Sequence, residues 1–294
     1  MKSPAICFLP ILVLTARLVH GQSTVDPAKA SSWAANAGWI NWRPNQPAPS
    51  GGGVIGEAVL AGKIYSANCG WIDLGDGAPV NGIAYQNNSA SDCGVNVSPD
   101  GTLTGFAYGA NIGWINFEQT FGKPKFDLLT GLFSGFAYGA NIGWINLGTG
   151  DLRTTTIKCT DTDGDGIGDE WEIVRFGNLT TATLTSDFDK DGVSDHHEYA
   201  ALTDPKDGKS FLRITGIVPS PSLQGLFVLT FGPTGQGRTY RVEHSPNLQA
   251  WTAITGLESF LPDAGAATQR TVPFTGNSPP PFFFRVRVSK PLQP

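Results

Sequence analysis

GFAYGANIGWIN occupies residues 105–116 and recurs letter for letter at 135–146. Looser forms of its core stand at two more places, WAANAGWIN at 33–41 and YSANCGWID at 65–73. The shared pattern is aromatic, small residue, Ala, Asn, any residue, Gly, Trp, Ile, then Asn or Asp. Upstream, Leu60-Ala61-Gly62, Leu103-Thr104-Gly105 and Phe133-Ser134-Gly135 extend the match in three copies. The motif tryptophans are spaced by 32, 43 and 30 residues, so a unit of about thirty residues is interrupted once, around 79–93.

Each copy reads as a strand, a tight turn and a return strand. TLTGFAY alternates with period two, Ala-Asn-x-Gly supplies turn chemistry, and Gly-Trp-Ile-Asn-Phe runs back. Alternation places Ile40/Trp42, Ile72/Leu74, Ile115/Phe117 and Ile145/Leu147 on one face, the core face. Trp39, Trp71, Trp114 and Trp144 then share the other face with Asn41, Asp73, Asn116 and Asn146. Two readings of that second face stand open. A flat ring beside an amide is how sugar-binding surfaces are often made, whereas a packed array buries the same face and uses Asn as a cap. Units this small pack against one another because one alone cannot bury its apolar side. A sandwich, a solenoid and a small propeller all satisfy that need.

The firmer chemistry lies downstream. DTDGDGIGDEWE at 161–172 and DFDKDGVSDHHE at 187–198 share the template D-x-D-x-D-G-x-x-D-x-x-E. Calcium takes six to eight oxygens, which such loops deliver from positions 1, 3, 5, 7, 9 and 12. In the first loop these are Asp161, Asp163, Asp165, the Ile167 carbonyl, Asp169 and Glu172. In the second they are Asp187, Asp189, Asp191, the Val193 carbonyl, Asp195 and Glu198. Gly166 and Gly192 hold position 6, where the backbone turns sharply. The stretch before the first loop, LRTTTIKCT, is β-branched and reads as extended, so an EF-hand with its entering helix is disfavoured. EWEIVRF and HHEYAAL, at the loop exits, read as short helices. His196 and His197 fall at positions 10 and 11, away from the liganding pattern, and His244 stands isolated on a strand.

These loops resemble the thrombospondin type 3-like calcium repeats of secreted bacterial proteins, and are similar to the calcium loops of the protective-antigen type of binary toxin. The resemblance runs on through FGNLT at 176–180 and EYAALTDP at 198–205. It continues into GRTYRVEHSPNLQAW and FFFRVRV, which look like the β-sandwich modules often attached to such repeats, and so covers roughly residues 159–290. One departure is Gly168, where a Pro is common. The N-terminal GWIN units resemble repeats of secreted bacterial proteins for which no activity is established. The resemblance implies calcium-dependent architecture outside the cell and names no reaction.

Charge and cysteine usage agree with that compartment. The chain has 294 residues and a net charge of −5. Residues 161–207 alone carry thirteen acidic against three basic side chains. So concentrated an acidic block repels phosphates and excludes nucleic acid as a partner, but suits cations. Lys2, the apolar run AICFLPILVL and small residues at Val19-His20-Gly21 read as a signal peptide over 1–21, too short to span a bilayer. No membrane span follows it. The mature chain keeps Cys69, Cys93 and Cys159, an odd number, with Cys69–Cys93 the favoured disulfide and Cys159 left over.

The expected architecture is therefore mostly β. A signal peptide (1–21) precedes a Trp/Gly-rich β-repeat domain (22–150), a calcium-binding loop–helix segment (151–207) and a C-terminal antiparallel β-sandwich (208–294). Six strand-like runs, from FLRITGIV to FFFRVRV, support the last. No Ser/His/Asp order, Cys/His pair, phosphate loop or HExxH is present. A glycosidase-like pair would have to come from Asp26, Glu57, Asp73, Asp76, Asp92, Asp100, Glu118 and Asp127. The leading expectation is a secreted, non-catalytic, calcium-binding structural or adhesive protein whose calcium rigidifies the joint between two β domains, with an extracellular glycan or a surface protein as partner. The alternatives are a carbohydrate-binding module using Trp39, Trp71, Trp114, Trp144, Asn116 and Asn146, and a glycan-active enzyme.

Overall fold

The computed structural model describes residues 22–44, 51–223, 225–273 and 283–292. The signal peptide read at 1–21 lies outside them. The chain is mostly β, as its alternation and turn residues require.

The repeat region contributes β1 (Val25–Ala34), β2 (Gly38–Asn41), β3 (Val54–Ile55), β4 (Leu60–Ser66), β5 (Gly70–Asp76), β6 (Val95–Val97) and β7 (Leu103–Gly109). It continues with β8 (Gly113–Asn116), β9 (Lys125–Phe126), β10 (Phe133–Ser134), β11 (Phe136–Gly139), β12 (Gly143–Asn146) and β13 (Leu152–Thr154). The four GWIN units are the antiparallel hairpins β1–β2, β4–β5, β7–β8 and β11–β12. Neighbouring hairpins also pair, β2 with β4, β5 with β7 and β8 with β11. β12 then returns to β1, with Trp33 opposite Asn146, and closes the ring. The domain is therefore an eight-stranded barrel of four hairpins, and the sandwich, solenoid and propeller are corrected. Closure gives each unit a shared interior in which to bury its apolar face and leaves no ring edge unpaired.

The interior follows the alternation. Ile40, Ile72, Ile115 and Ile145 are buried, as are Trp42, Leu74, Phe117 and Leu147 one pleat further on. They leave a void of only about 10 Å³ between them. That is at the lower limit for a single water, so the barrel is a filled core and not a channel. A turn glycine in every unit and a strand glycine in three of the four make the shape. Gly38, Gly70, Gly113 and Gly143 end the hairpin turns at φ between 72° and 79°, in the left-handed region. Gly62, Gly105 and Gly135, with φ of 87°, 91° and 78°, bend the incoming strand so closely onto a neighbouring carbonyl that a Cβ would collide with it.

The variable residue of each Ala-Asn-x-Gly turn plugs the barrel end: Ala37, Cys69, Ile112 and Ile142 are all buried. The turn asparagines link the hairpins. Asn68 Nδ2 donates to Ala37 O at 3.0 Å, Asn111 Nδ2 to Cys69 O at 3.2 Å, and Asn141 Nδ2 to Ile112 O at 3.0 Å. Between the last hairpin and the first, the backbone N–H of Asn36 donates to Ile142 O at 3.1 Å.

The disulfide expectation is corrected, because Cys69, Cys93 and Cys159 are all free thiols. Cys69 sits in the plug at the turn end. Cys93 adjoins Gly94, whose carbonyl meets Gly105 and which, like Gly75, packs on the Tyr85 ring, near the opposite end of β5 and β7. At about 3.3 Å per residue a seven-residue strand separates them by roughly 20 Å, far beyond disulfide reach.

After the barrel come α1 (Asp169–Phe176) and α2 (Asp195–Ala201), at the exits of the two acidic loops. The C-terminal domain holds β14 (Arg213–Pro219), β15 (Leu226–Gly232), β16 (Thr239–Ser245), β17 (Thr252–Ala253), β18 (Thr268–Pro273) and β19 (Phe283–Ser289). These form two antiparallel three-stranded sheets, β14-β15-β18 and β17-β16-β19, around Leu229, Phe231, Tyr240, Val242, Ile254 and Val272. Each of the six strand-like runs supplies one of these strands. No helix among the described residues is long and apolar enough to cross a membrane.

Candidate functional site

The two acidic loops fold alike because their carboxylates organise their own backbones. Asp161 accepts from Gly164 N at 2.7 Å and Gly166 N at 2.9 Å; Asp187 accepts from Lys190 N at 2.8 Å and Gly192 N at 3.0 Å. Asp165 accepts from Ile167 N and Asp191 from Val193 N, at 2.8 and 2.7 Å. Ile167 is itself fully buried, in a small core with Trp171, Ala182 and Tyr199 that fastens the first loop to both helices. Asp161, Asp163 and Asp165 bring ligand oxygens within 4.8 Å of one another, and Asp187, Asp189 and Asp191 do the same, a grouping able to hold a cation.

Position 9 differs between the loops. Asp169 is engaged on both oxygens by Thr162, from its backbone N at 2.7 Å and its hydroxyl at 2.5 Å. Asp195 accepts from Phe188 N on Oδ1 at 3.1 Å and keeps Oδ2 without a partner. At position 12, Glu172 and Glu198 have 0% of their surface exposed. Both oxygens of Glu172 and Oε2 of Glu198 lack any hydrogen-bond partner; Oε1 of Glu198 accepts from Thr203 Oγ1 at 3.1 Å. Buried oxygens of Asp165, Asp189 and Asp191 are unpartnered as well. Burial and the surrounding aspartates push both glutamates up to about 7. Unpaired buried carboxylates are among the costliest groups in a protein interior.

The histidines serve the fold. Ser194 caps α2 by accepting from His197 N, and its hydroxyl lies 2.8 Å from His197 Nδ1. The His196 ring lies against Gly166 of the first loop, which brings the two loops together.

Both helices lead to a joint between the domains that the sequence did not disclose. Tyr199, next after Glu198, donates to Glu57 Oε2 of the barrel at 2.6 Å. From the C-terminal domain, Lys290 Nζ donates to Tyr199 Oη at 2.6 Å and lies 3.4 Å from Glu57 Oε1. Arg238, also C-terminal, lies 3.8 Å from Glu57 and donates to the α2 carbonyls of Ala200 and Tyr199 at 2.9 and 3.0 Å. Burial raises Glu57, but Lys290 and Arg238 beside it outweigh that and hold its carboxyl below its ordinary value. Cys159 Sγ lies 3.1 Å from Tyr199 Oη; burial, with the Glu57 charge, pushes this thiol up to about 11.

The barrel exterior carries the second candidate. Trp39, Trp71, Trp114 and Trp144 are 53, 42, 49 and 41% exposed. Each faces an aromatic across its hairpin: Trp33, Tyr65, Tyr108 and Tyr138, with ring centroids 4.8–5.1 Å apart. Between hairpins, Asn41 stands opposite Tyr65, Asp73 opposite Tyr108, Asn116 opposite Tyr138 and Asn146 opposite Trp33. The result is a collar of eight aromatic side chains alternating with three amides and the Asp73 carboxylate. Asn41 and Asn146 also turn their side-chain oxygens to backbone N–H groups two residues on. Asp73 caps Gly75 N in the same way and pairs with Lys63 at 3.4 Å.

The other barrel carboxylates named above are spent locally. Asp26 pairs with Arg153 at 2.6 Å, and Asp76 accepts from Tyr85 Oη at 3.1 Å. Asp92, Asp100, Glu118 and Asp127 accept backbone N–H groups in their own loops. Comparison with protein-family models, with curated proteins and with solved structures returns no match.

Proposed function

We propose that the chain is a secreted, non-catalytic calcium-binding protein in which two calcium ions stiffen the joint between the barrel and the C-terminal sandwich. The observation that carries this reading is the pair of fully buried glutamates, Glu172 and Glu198, at position 12 of two matching loops, with both oxygens of Glu172 and Oε2 of Glu198 lacking partners. Hard oxygen donors in this number suit calcium and not the softer transition metals. In the first loop Asp161, Asp163, Asp165 and Glu172 would hold the ion, and in the second Asp187, Asp189, Asp191, Asp195 and Glu198. Asp169, occupied by Thr162, acts there as a brace for the loop.

The joint explains why such sites would matter. Glu172 adjoins Trp171, whose ring packs on Tyr199 at 5.6 Å, and Tyr199 is bonded to Glu57. A cation that fixes the ends of α1 and α2 therefore fixes the residues that clamp barrel to sandwich. Binding to the folded state alone adds directly to stability. Calorimetric titration tests this. Two calcium sites are expected in the native chain, and Glu172→Gln and Glu198→Gln should each weaken one by at least about tenfold, as loss of even an outer-shell partner does. Absence of calcium binding refutes the proposal.

The exposed collar supports a second reading, in which the barrel holds a carbohydrate on its aromatic rings. Exposed aromatic patches of this extent mark interaction surfaces. Neutral amides and a single, internally paired charge couple disfavour a charged partner there.

A further inference from the structure

The four aromatic pairs of the collar are equivalent in the repeat, but only one faces an insertion. The stretch around 79–93, between the second and third hairpins, rises beside Trp114 and Phe106. Together they line an open pocket of about 410 Å³, with Asn87, Asn88, Ser89, Ala90 and Cys93 as the opposite wall. That volume lies within the roughly 300–1,000 Å³ of small-molecule sites.

We propose that this cavity is a binding site for a neutral pyranose unit of a glycan; the proposal rests on the carbohydrate reading of the collar. Trp114 and Phe106 meet at 72° with centroids 6.2 Å apart, and Tyr108 backs Trp114 at 4.8 Å. The rings form a corner with two apolar walls, suited to the C–H face of a sugar. Across it stand exposed Asn88 and Ser89, and no hydrogen bond among the described residues engages the Asn88 amide. An amide and a hydroxyl facing an aromatic corner match a ligand that is apolar on its ring face and hydroxylated at its rim. The lining holds no carboxylate, ammonium or guanidinium. Its one titratable group is the Cys93 thiol, which burial and then Asp92 and Asp73 raise, so that it stays neutral. Charged ligands gain nothing in this cavity.

The opposite wall is built before any ligand arrives. Asn87, at a left-handed φ of 56°, accepts from Gly94 N at 3.0 Å and Cys93 Sγ at 3.2 Å and donates to Tyr85 O at 3.3 Å. Tyr85 and Asn96 exchange two bonds of 2.9 Å, and the buried Asp92 accepts from Val80 N and Gln86 N at 3.2 Å. A wall fixed in this way spares the ordering cost that a loose loop would pay on binding.

The test is a titration of the full chain, in calcium, with soluble trisaccharides of glucose, galactose, mannose and N-acetylglucosamine, read by ligand-observed NMR. At least one is expected to bind saturably. Trp114→Ala, and separately Asn88→Ala with Ser89→Ala, should weaken it at least about tenfold, the loss an anchoring side chain gives on truncation. Trp144→Ala, the equivalent collar position without an insertion, should weaken binding less than Trp114→Ala does, and Leu184→Ala, exposed and outside the collar, serves as the folding control. Equal losses for Trp114→Ala and Trp144→Ala overturn the pocket while the collar reading survives. Failure of all four trisaccharides to bind at millimolar concentration overturns both.

Discussion

Tyr199 Oη donates to Glu57 Oε2 at 2.6 Å, across 142 residues of sequence, and joins the helix after the second acidic loop to the barrel. The same oxygen accepts from Lys290, so one phenol ties three parts of the chain together. Tyr199→Phe keeps the ring against Trp171 and removes only the hydroxyl. It leaves Glu57 and Lys290 each short of a buried partner, and should cost about 1–3 kcal/mol of stability. Chemical denaturation checks this; a variant as stable as the native chain would remove Tyr199 from the joint.

In the absence of calcium, stability should fall as pH rises. Glu172 and Glu198 titrate near 7 in the fold against an ordinary 4.5, so the fold favours their neutral forms. Their stabilising effect is complete below about 4.5 and is lost as pH rises through about 7. Glu57 has the opposite sign: held below its ordinary value, it stabilises above that value and loses its effect only in acid. Melting scans in EDTA should therefore give a higher transition at about pH 5.5 than at about pH 8. Calcium should remove that decline, and a decline that persists in saturating calcium speaks against the two glutamates as ligands.

Reducing agents should leave thermal unfolding unchanged. Cys69 belongs to the barrel plug and Cys93 to the insertion wall, and both thiols are free. Thiol counting in denaturant should find no bridge between them, and a reductant-dependent loss of several degrees contradicts that arrangement.

The two faces of the return strands should respond differently to truncation. Ile115→Ala removes a buried side chain from the filled interior and should cost about 2–5 kcal/mol. Trp144→Ala, next to Ile145 in an equivalent strand, removes an exposed ring and its pairing with Tyr138, worth about 0.5–1.5 kcal/mol. Denaturation of both variants checks the assignment, and a larger loss for Trp144→Ala would reverse inside and outside.

The repeat, the alternation and the turn residues made the hairpins, their inner face and both acidic loops legible in the sequence. Each depends on residues a few positions apart. Closure of the barrel was not legible, because curvature comes from the bend at Gly62, Gly105 and Gly135 and from the return of β12 to β1, more than a hundred residues away. Cysteine parity suggested a Cys69–Cys93 bridge, but the strand between them holds the two thiols at opposite ends. Glu57, Tyr199, Arg238 and Lys290 carry no local signature, and only the packing of three segments brings them together. The Trp114 cavity was hidden for the same reason: its walls come from different parts of the chain, and the repeat alone makes Trp114 look like its three counterparts.

The most direct test of the calcium account is thermal unfolding of the full chain at about pH 8, in calcium and in EDTA, with calcium about tenfold above its dissociation constants. Two sites then add about 3 kcal/mol and should raise the transition by roughly 5–10 °C, while the double variant Glu172→Gln/Glu198→Gln should show no such rise. Coincident transitions of the native chain in calcium and in EDTA would contradict the claim that calcium stiffens the joint.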